Sequence, residues 1–255
     1  MNIENAIKFG DKILKSKKIK SAKLDCEILL SKALKKDRKF IILNSDYSIK
    51  EESFIFFKNL IFQRSKGEPV AYLLGKKSFW KNVFDVSKSV LIPRPDTELL
   101  IEEVLKLYKH KRKQRILDIG VGSGCIILSI LMEKKDFIGV GIDISKKSIE
   151  TSKINAFKLQ INDRLKFYKS DVDNFNYGKY DLIVSNPPYI SKNKFKYLEK
   201  DIINFEPKKA LDGGIDGLFE FRKVIRKSSE LIKKSGKLIL EIGFDQKDKV
   251  TKILI

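Results

Sequence analysis

From Arg115 onward the chain alternates short apolar runs with helix-length segments, and that alternation leaves few folds open. The apolar runs fall at 115–119, 137–142 (ending at Asp143), 165–168, 182–184 and 237–242. Helical spacing fills 125–133, a segment from Ser145 to about 157, and one from about 218 to 233. Strands separated by helices predict a doubly wound parallel sheet. Such sheets carry their chemistry on the loops beyond the carboxyl ends of the strands.

Two of those loops have unusual composition. Asp118-Ile119-Gly120-Val121-Gly122-Ser123-Gly124 sits at a strand-to-helix turn, where glycines permit a sharp bend and close approach of a ligand. Its Gly-x-Gly-x-Gly spacing departs from the Gly-x-Gly-x-x-Gly of pyrophosphate-binding loops. Asp143 ends the second strand, where a carboxylate can accept from both hydroxyls of a ribose; Ser145 is an equally good helix cap, which frees Asp143 for that role. Asp171, with Val172 beside it, follows the third strand. It is either an acceptor for an adenine amino group, with Val172 against the ring, or a solvated loop acid.

The second loop is Ser185-Asn186-Pro187-Pro188-Tyr189-Ile190. Two prolines lack N–H groups and fix φ, so the fourth strand stops here and the loop is stiff. Asn186 offers an amide, the carbonyls beside Pro187 and Pro188 are acceptors, and Tyr189 is a flat face. Together they suit a planar group bearing an NH₂.

Before Arg115 the chain reads differently. Residues 1–75 repeat apolar positions at helical spacing, with Ser21 and Ser48 as candidate caps and helices near 22–34 and 51–64. This predicts a small helical bundle that either docks something or caps the larger domain. Ser78-Phe79-Trp80 and Val83-Phe84-Asp85-Val86, separated by Lys81-Asn82, predict a β-hairpin linker over 76–92. Two prolines hold 90–98 extended, and Asp96 or Thr97 can cap a helix over 98–109. The third segment, 93–255, carries the sheet.

Composition narrows the function class. Hydrophobic residues make up 42% of the 255-residue chain, enough for a core. The net charge of +20 comes mostly from lysine, with only eight arginines. Specific base or phosphate reading favours arginine, so the charge reads as a solvated lysine surface without a specific nucleic-acid partner. His110 is the sole histidine, and Cys26 and Cys125 lack ligand spacing, so no metal is expected. The N-terminus lacks a signal-peptide layout and no apolar run approaches a membrane span; the expectation is a cytoplasmic enzyme, read as a monomer.

The glycine loop resembles that of class I S-adenosylmethionine-dependent methyltransferases, and Asn-Pro-Pro-Tyr resembles the motif of enzymes that methylate adenine, cytosine or glutamine-amide nitrogens. Four stretches in order resemble the release factor glutamine N5-methyltransferase family: Gly67-Glu68-Pro69-Val70-Ala71-Tyr72; Leu91-Ile92-Pro93-Arg94-Pro95-Asp96-Thr97-Glu98; Asn186-Pro187-Pro188-Tyr189-Ile190; and Phe205-Glu206-Pro207 followed by Ala210-Leu211, Gly213-Gly214 and Asp216-Gly217-Leu218. The resemblance implies a Rossmann-like methyltransferase sheet, with S-adenosylmethionine held by Gly120, Val121, Gly122, Ser123, Gly124, Asp143, Asp171, Val172 and Asn186. It implies catalysis at Asn186, Pro187, Pro188 and Tyr189 on a release-factor glutamine, in translation termination. Glu206 would help bind the substrate loop or be a surface carboxylate. Family members continue past a helix beginning near Asp245 with two further strands. For a chain that ends at Ile255 the resemblance leaves the fifth strand as an exposed edge or with a substitute partner, and implies reduced stability or an incomplete gene product. The rival functions are an adenine-N6 methyltransferase on DNA or RNA, and a catalytically impaired cofactor-binding remnant.

Overall fold

The computed structural model describes residues 1–255, which divide into two compact units, Met1–Gly75 and Lys76–Ile255. The first is all helical: α1 (Ile3–Ser16), α2 (Ala22–Leu34), α3 (Arg38–Leu43), α4 (Glu51–Ser65) and α5 (Val70–Leu74). Ile3, Ala6 and Leu14 of α1 recur at helical spacing and are buried with Leu29 and Leu30 of α2 and Phe57 and Ile61 of α4. Asp25 is buried in this unit, and the Arg64 guanidinium holds it at 2.7 Å.

The expected bundle lacked α3 and α5. Both are under two turns long, too short to show a period. Asp37 starts α3 by accepting the Phe40 N–H at 2.7 Å, and Pro69 and Gly75 bracket α5. Neither expected serine cap forms. The Ser21 hydroxyl goes to Asp25 at 2.9 Å, and Lys50 stands at the start of α4 in place of Ser48.

The second unit opens with an antiparallel hairpin, β1 (Lys76–Phe79) and β2 (Asn82–Asp85). Its turn is Trp80-Lys81, one position earlier than the sequence suggests, with Trp80 at φ +53°. A residue of that size tolerates the left-handed region only with help. Here its N–H donates to Glu98 at 2.7 Å and its indole N–H to Glu133 at 2.8 Å.

The remaining elements are α6 (Glu98–Leu107), β3 (Arg115–Ile119), α7 (Cys125–Glu133), β4 (Ile138–Asp143), α8 (Lys146–Lys158), β5 (Leu165–Lys169), β6 (Tyr180–Ser185), α9 (Lys200–Phe205), α10 (Phe219–Leu231), β7 (Ile232–Leu240) and α11 (Lys247–Leu254). The five strands β3 to β7 form one parallel sheet in the order β5-β4-β3-β6-β7. Successive side chains along a strand face opposite sides. Ile116, Leu182 and Val184 pack with α6 and α7, whereas Leu117, Ile119 and Ile183 pack with α10 on the other face. β7 starts five residues before its apolar run because Ile232 pairs with Tyr180 across an irregularity that the polar Lys-Lys-Ser-Gly stretch conceals. It is the outermost strand in the order, with Lys233, Lys234 and Lys237 exposed.

Chain order places β4 and β5 on one side of β3 and β6 and β7 on the other, so the topological switch lies between β3 and β6. Ile119 pairs with Ile142 and with Ser185, so the loops after β3, β4 and β6 leave the sheet side by side. The Ser185 hydroxyl, fully buried, ties the two central strands by donating to the Ile119 carbonyl at 2.7 Å. No helix is long and apolar enough to cross a membrane.

Candidate active site

A cleft of ≈ 1260 Å³ opens at the switch point. That exceeds a typical single-ligand pocket of roughly 300–1,000 Å³, leaving room for a cofactor and an inserted side chain. Gly120, Val121, Gly122, Ser123, Asp143, Asp171, Val172, Asn186, Pro187 and Pro188 all line it. Two of the expected residues do not. Gly124 lies behind the loop with φ +84°, where a Cβ would meet Leu128 Cδ1 at 2.8 Å, so it serves helix packing. Tyr189 packs its ring on the cluster of Leu218, Phe221 and Val250 and points its hydroxyl at Glu241, 3.4 Å away. Burial, and then Glu241, raise that phenol's pKa.

The glycine loop is held by its neighbours. The backbone N–H of Gly120 and that of Val121 both donate to the Ile142 carbonyl at 2.9 Å. Gly120 has φ +78°, and a Cβ there would meet nothing within 4 Å, so this stretch of backbone faces open cleft. Asp143 works on the same loop: one oxygen accepts the Gly122 N–H at 3.0 Å and the other the Ser145 N–H at 2.8 Å. Burial raises its pKa, opposed by those two N–H groups. Ser145 takes the cap of α8, accepting the Ser148 N–H at 3.2 Å. Asp171 caps the short turn Val172–Asn174 through the Asp173 N–H at 3.0 Å and meets Lys223 at 3.2 Å; those bonds hold its pKa below the usual range.

The Asn-Pro-Pro-Tyr loop is braced from behind by the segment that follows Glu206. Ile190 N–H donates to Leu211 O at 3.0 Å, and Gly213 N–H returns a bond to Ile190 O at 2.9 Å. A Cβ on Gly213 would sit 2.9 Å from the Pro188 carbonyl oxygen, so only glycine fits that close approach. Gln246, buried before α11, clamps the Tyr189 and Gly217 carbonyls at 3.1 and 3.0 Å. The Pro187 carbonyl is taken by no backbone N–H.

Glu206 is neither a surface carboxylate nor a cleft-lining group. Its side chain is 1% exposed, it forms an ion pair with Arg94, and it accepts the Ile92 N–H at 3.3 Å. It therefore anchors the cleft wall formed by 91–94. Thr97, expected as a cap, makes no cap bond; its hydroxyl accepts from the Asn186 amide at 3.2 Å.

Three further residues support the site from behind the cleft lining. Asp118 is fully buried beneath the glycine loop. Neither oxygen has a well-formed hydrogen bond, and burial, only partly offset by the Ile127 N–H, pushes its pKa up to about 7. Asn155 of α8 is buried and bonds Ser123 O at 2.9 Å, Asp85 O at 3.0 Å and Asp85 N–H at 2.7 Å, joining hairpin to loop. Glu241 follows β7. The signals for Asp118 and Glu241 were carboxylates at the carboxyl ends of apolar strands; Asn155 carries no sequence signal.

Comparisons with known proteins give the chain a family. The family model "PrmC N-terminal domain" matches residues 5–75, and "Methyltransferase small domain" matches residues 94–215. The chain is 41% identical to a release factor glutamine methyltransferase of Clostridium botulinum, over 96% of this chain and 88% of that one. It is 39% identical to the protein of the same name from Clostridium acetobutylicum, over 100% and 90%. The match to that of Caulobacter vibrioides is 35% over 93% and 82%. The chain belongs to the release factor glutamine methyltransferase family, and its second unit has the class I methyltransferase fold.

Proposed function

We propose that this protein methylates the N5 amide nitrogen of the glutamine in the Gly-Gly-Gln loop of peptide chain release factors, with S-adenosylmethionine as methyl donor. The observation that carries the reading is the meeting of two loops in one cleft: the glycine loop after β3, and beside it, across one strand pairing, Asn186-Pro187 after β6.

The residues fit the cofactor. Backbone at Gly120 is open to the cleft, where a Cβ would find empty space. Asp143 spends one lone pair of each oxygen on the loop and on Ser145, which leaves acceptor capacity for a ribose diol. Asp118 is a buried carboxylate without a good partner, and the cofactor's methionine end carries an ammonium. Asp171 and Val172 would receive the adenine, with Gly122 and Ser123 beside the methionine and ribose. When bound, the cofactor supplies an electrophilic methyl group.

The rest of the chemistry falls to the chain. An amide nitrogen is a poor nucleophile because its lone pair is delocalised into the carbonyl. Asn186 Oδ1 and the Pro187 carbonyl accept its two N–H bonds, orient it, and favour positive charge developing on it. Pro188, Val121 and Ile126 give the cleft apolar walls that limit water around the reacting nitrogen. No strong base is needed beforehand, since the N–H becomes acidic once the nitrogen bonds a fourth group. Tyr189 acts on this arrangement through its hydroxyl rather than by stacking.

The N-terminal unit docks the release factor; its exposed Ile42, Leu43, Phe56 and Phe62 support this. The protein works as a cytoplasmic monomer on a protein substrate. The test is labelled methyl transfer to a purified release factor, to DNA and to RNA. Release factor alone should be labelled, and Asn186→Ala should lower transfer about 10²–10³-fold with little change in cofactor affinity. Transfer to nucleic acid alone, or undiminished transfer by the variant, sinks the reading.

A further inference from the structure

The Asn186 amide can present either end to the cleft, and only one orientation suits acceptance of a substrate N–H. Its Nδ2 donates to the Thr97 hydroxyl at 3.2 Å, which turns Oδ1 the other way. Thr97 Oγ1, having accepted that bond, must pass its own hydrogen onward. The carboxylate beside Thr97, Asn186 and Tyr189 is that of Glu241. Glu241 reaches this spot by register: its N–H donates to the Ser185 carbonyl at 3.0 Å, so it stands beside Asn186 at the ends of adjacent strands. Tyr189 Oη donates to Oε1 at 3.4 Å, while Oε2 is buried with no partner. Burial pushes this carboxyl above its usual range, against the polar side chains of Thr97, Asn186 and Tyr189 beside it; Asp96 and Cys125 are the other titratable groups in its field.

We propose that Glu241 is a positioning residue for the Asn186 amide, acting with Thr97 to hold Nδ2 inward and Oδ1 toward the substrate. An anionic acceptor on one end of an amide also enriches its oxygen in negative charge, so Oδ1 is a better partner for a nitrogen becoming positive. The effect is larger as the charge develops than in the bound ground state, so it belongs in kcat rather than KM. The inference rests on the reading of Asn186 as the acceptor of the substrate amide.

The test uses the full chain with a release factor as substrate. Glu241→Gln keeps the shape and removes the charge; kcat should fall about 100-fold, with release-factor KM within about threefold and cofactor Kd by calorimetry within about twofold. Thr97→Val should fall at least roughly tenfold in kcat, and Thr97→Ser, which keeps the hydroxyl, should recover to within about threefold. The role is overturned if Glu241→Gln keeps kcat within about threefold. It is also overturned if kcat, KM and cofactor affinity decline together with the melting temperature, or if Thr97→Ser is as poor as Thr97→Val. Asn186→Ala runs alongside. Its collapse with Glu241→Gln intact removes only the positioning role, whereas undiminished transfer by Asn186→Ala removes the underlying reading too.

Discussion

Replacing Asn155 by leucine should loosen the glycine loop and destabilise the methyltransferase unit, although residue 155 does not line the cleft. The side chain is 1% exposed and makes three hydrogen bonds, to Ser123 O at 2.9 Å, Asp85 O at 3.0 Å and Asp85 N–H at 2.7 Å. Each is worth about 1 kcal/mol net, and leaving buried partners unpaired adds to the loss; leucine's apolar surface returns part of it. The sum is about 2–4 kcal/mol. For a unit of this size each kcal/mol moves Tm by about 2–4 °C, so the fall is roughly 4–16 °C. The assay is a thermal melt of the ligand-free protein, paired with calorimetric titration of the cofactor. Because Ser123 sits between Gly122 and Gly124, cofactor Kd should rise several-fold while the fold stays cooperative. A Tm within about 2 °C of wild type and an unchanged Kd would refute the claim that Asn155 clamps the loop.

Two further outcomes follow from buried carboxylates. Asp118 titrates near 7 in the folded chain against an ordinary value of 3.8, so the folded state holds its proton where the unfolded state has released it. Its contribution is present at acid pH and lost as pH rises from about 4 to 7. Asp118→Asn should therefore raise ligand-free stability at pH 8, by up to about 4 kcal/mol, and change it little at pH 4; a denaturant titration showing the same difference at both pH values would exclude this. Arg94→Ala leaves the nearly buried Glu206 without its cation and should cost about 2–4 kcal/mol. A double-mutant cycle with Glu206→Gln giving a coupling below about 0.5 kcal/mol would show that the pair does not hold the cleft wall.

What was legible in the chain was local. Strand ends were readable from apolar runs, and the glycine loop and the Asn-Pro-Pro-Tyr loop from residues whose backbone constraints act in place. The five strands appeared where expected, within a few residues except at β7. What could not be read were contacts made across long separations. Trp80 in a left-handed turn needs Glu98 and Glu133; nothing in its own neighbours announces it. Tyr189 looked like a platform because the motif is exposed in sequence, yet α10 and α11 supply the apolar cluster that buries its ring. Glu206 read as a binder of the substrate loop or a surface acid because Arg94 lies 112 positions away.

The stretch Ile92-Pro93-Arg94-Pro95-Asp96-Thr97-Glu98 shows how one segment can serve a motif far along the chain. It runs extended only as far as Arg94; Pro95–Thr97 then tighten into a single turn that leads into α6, against the expectation that 90–98 stays extended, and three of its side chains each grip a different part of the unit. Arg94 pairs with Glu206, Thr97 holds the Asn186 amide, and Glu98 accepts the Trp80 N–H at the hairpin turn. An Asn-Pro-Pro-Tyr loop alone presents acceptors to any planar amino group. The orientation of its asparagine and the shape of the wall opposite depend on partners outside the loop, and this segment supplies two of them. Discrimination among planar amino groups then resides partly in that wall, so changing the cleft-lining Leu91 or Pro93, which hold neither Asn186 nor Glu206, should alter which amino group is accepted before it lowers the rate of methyl transfer.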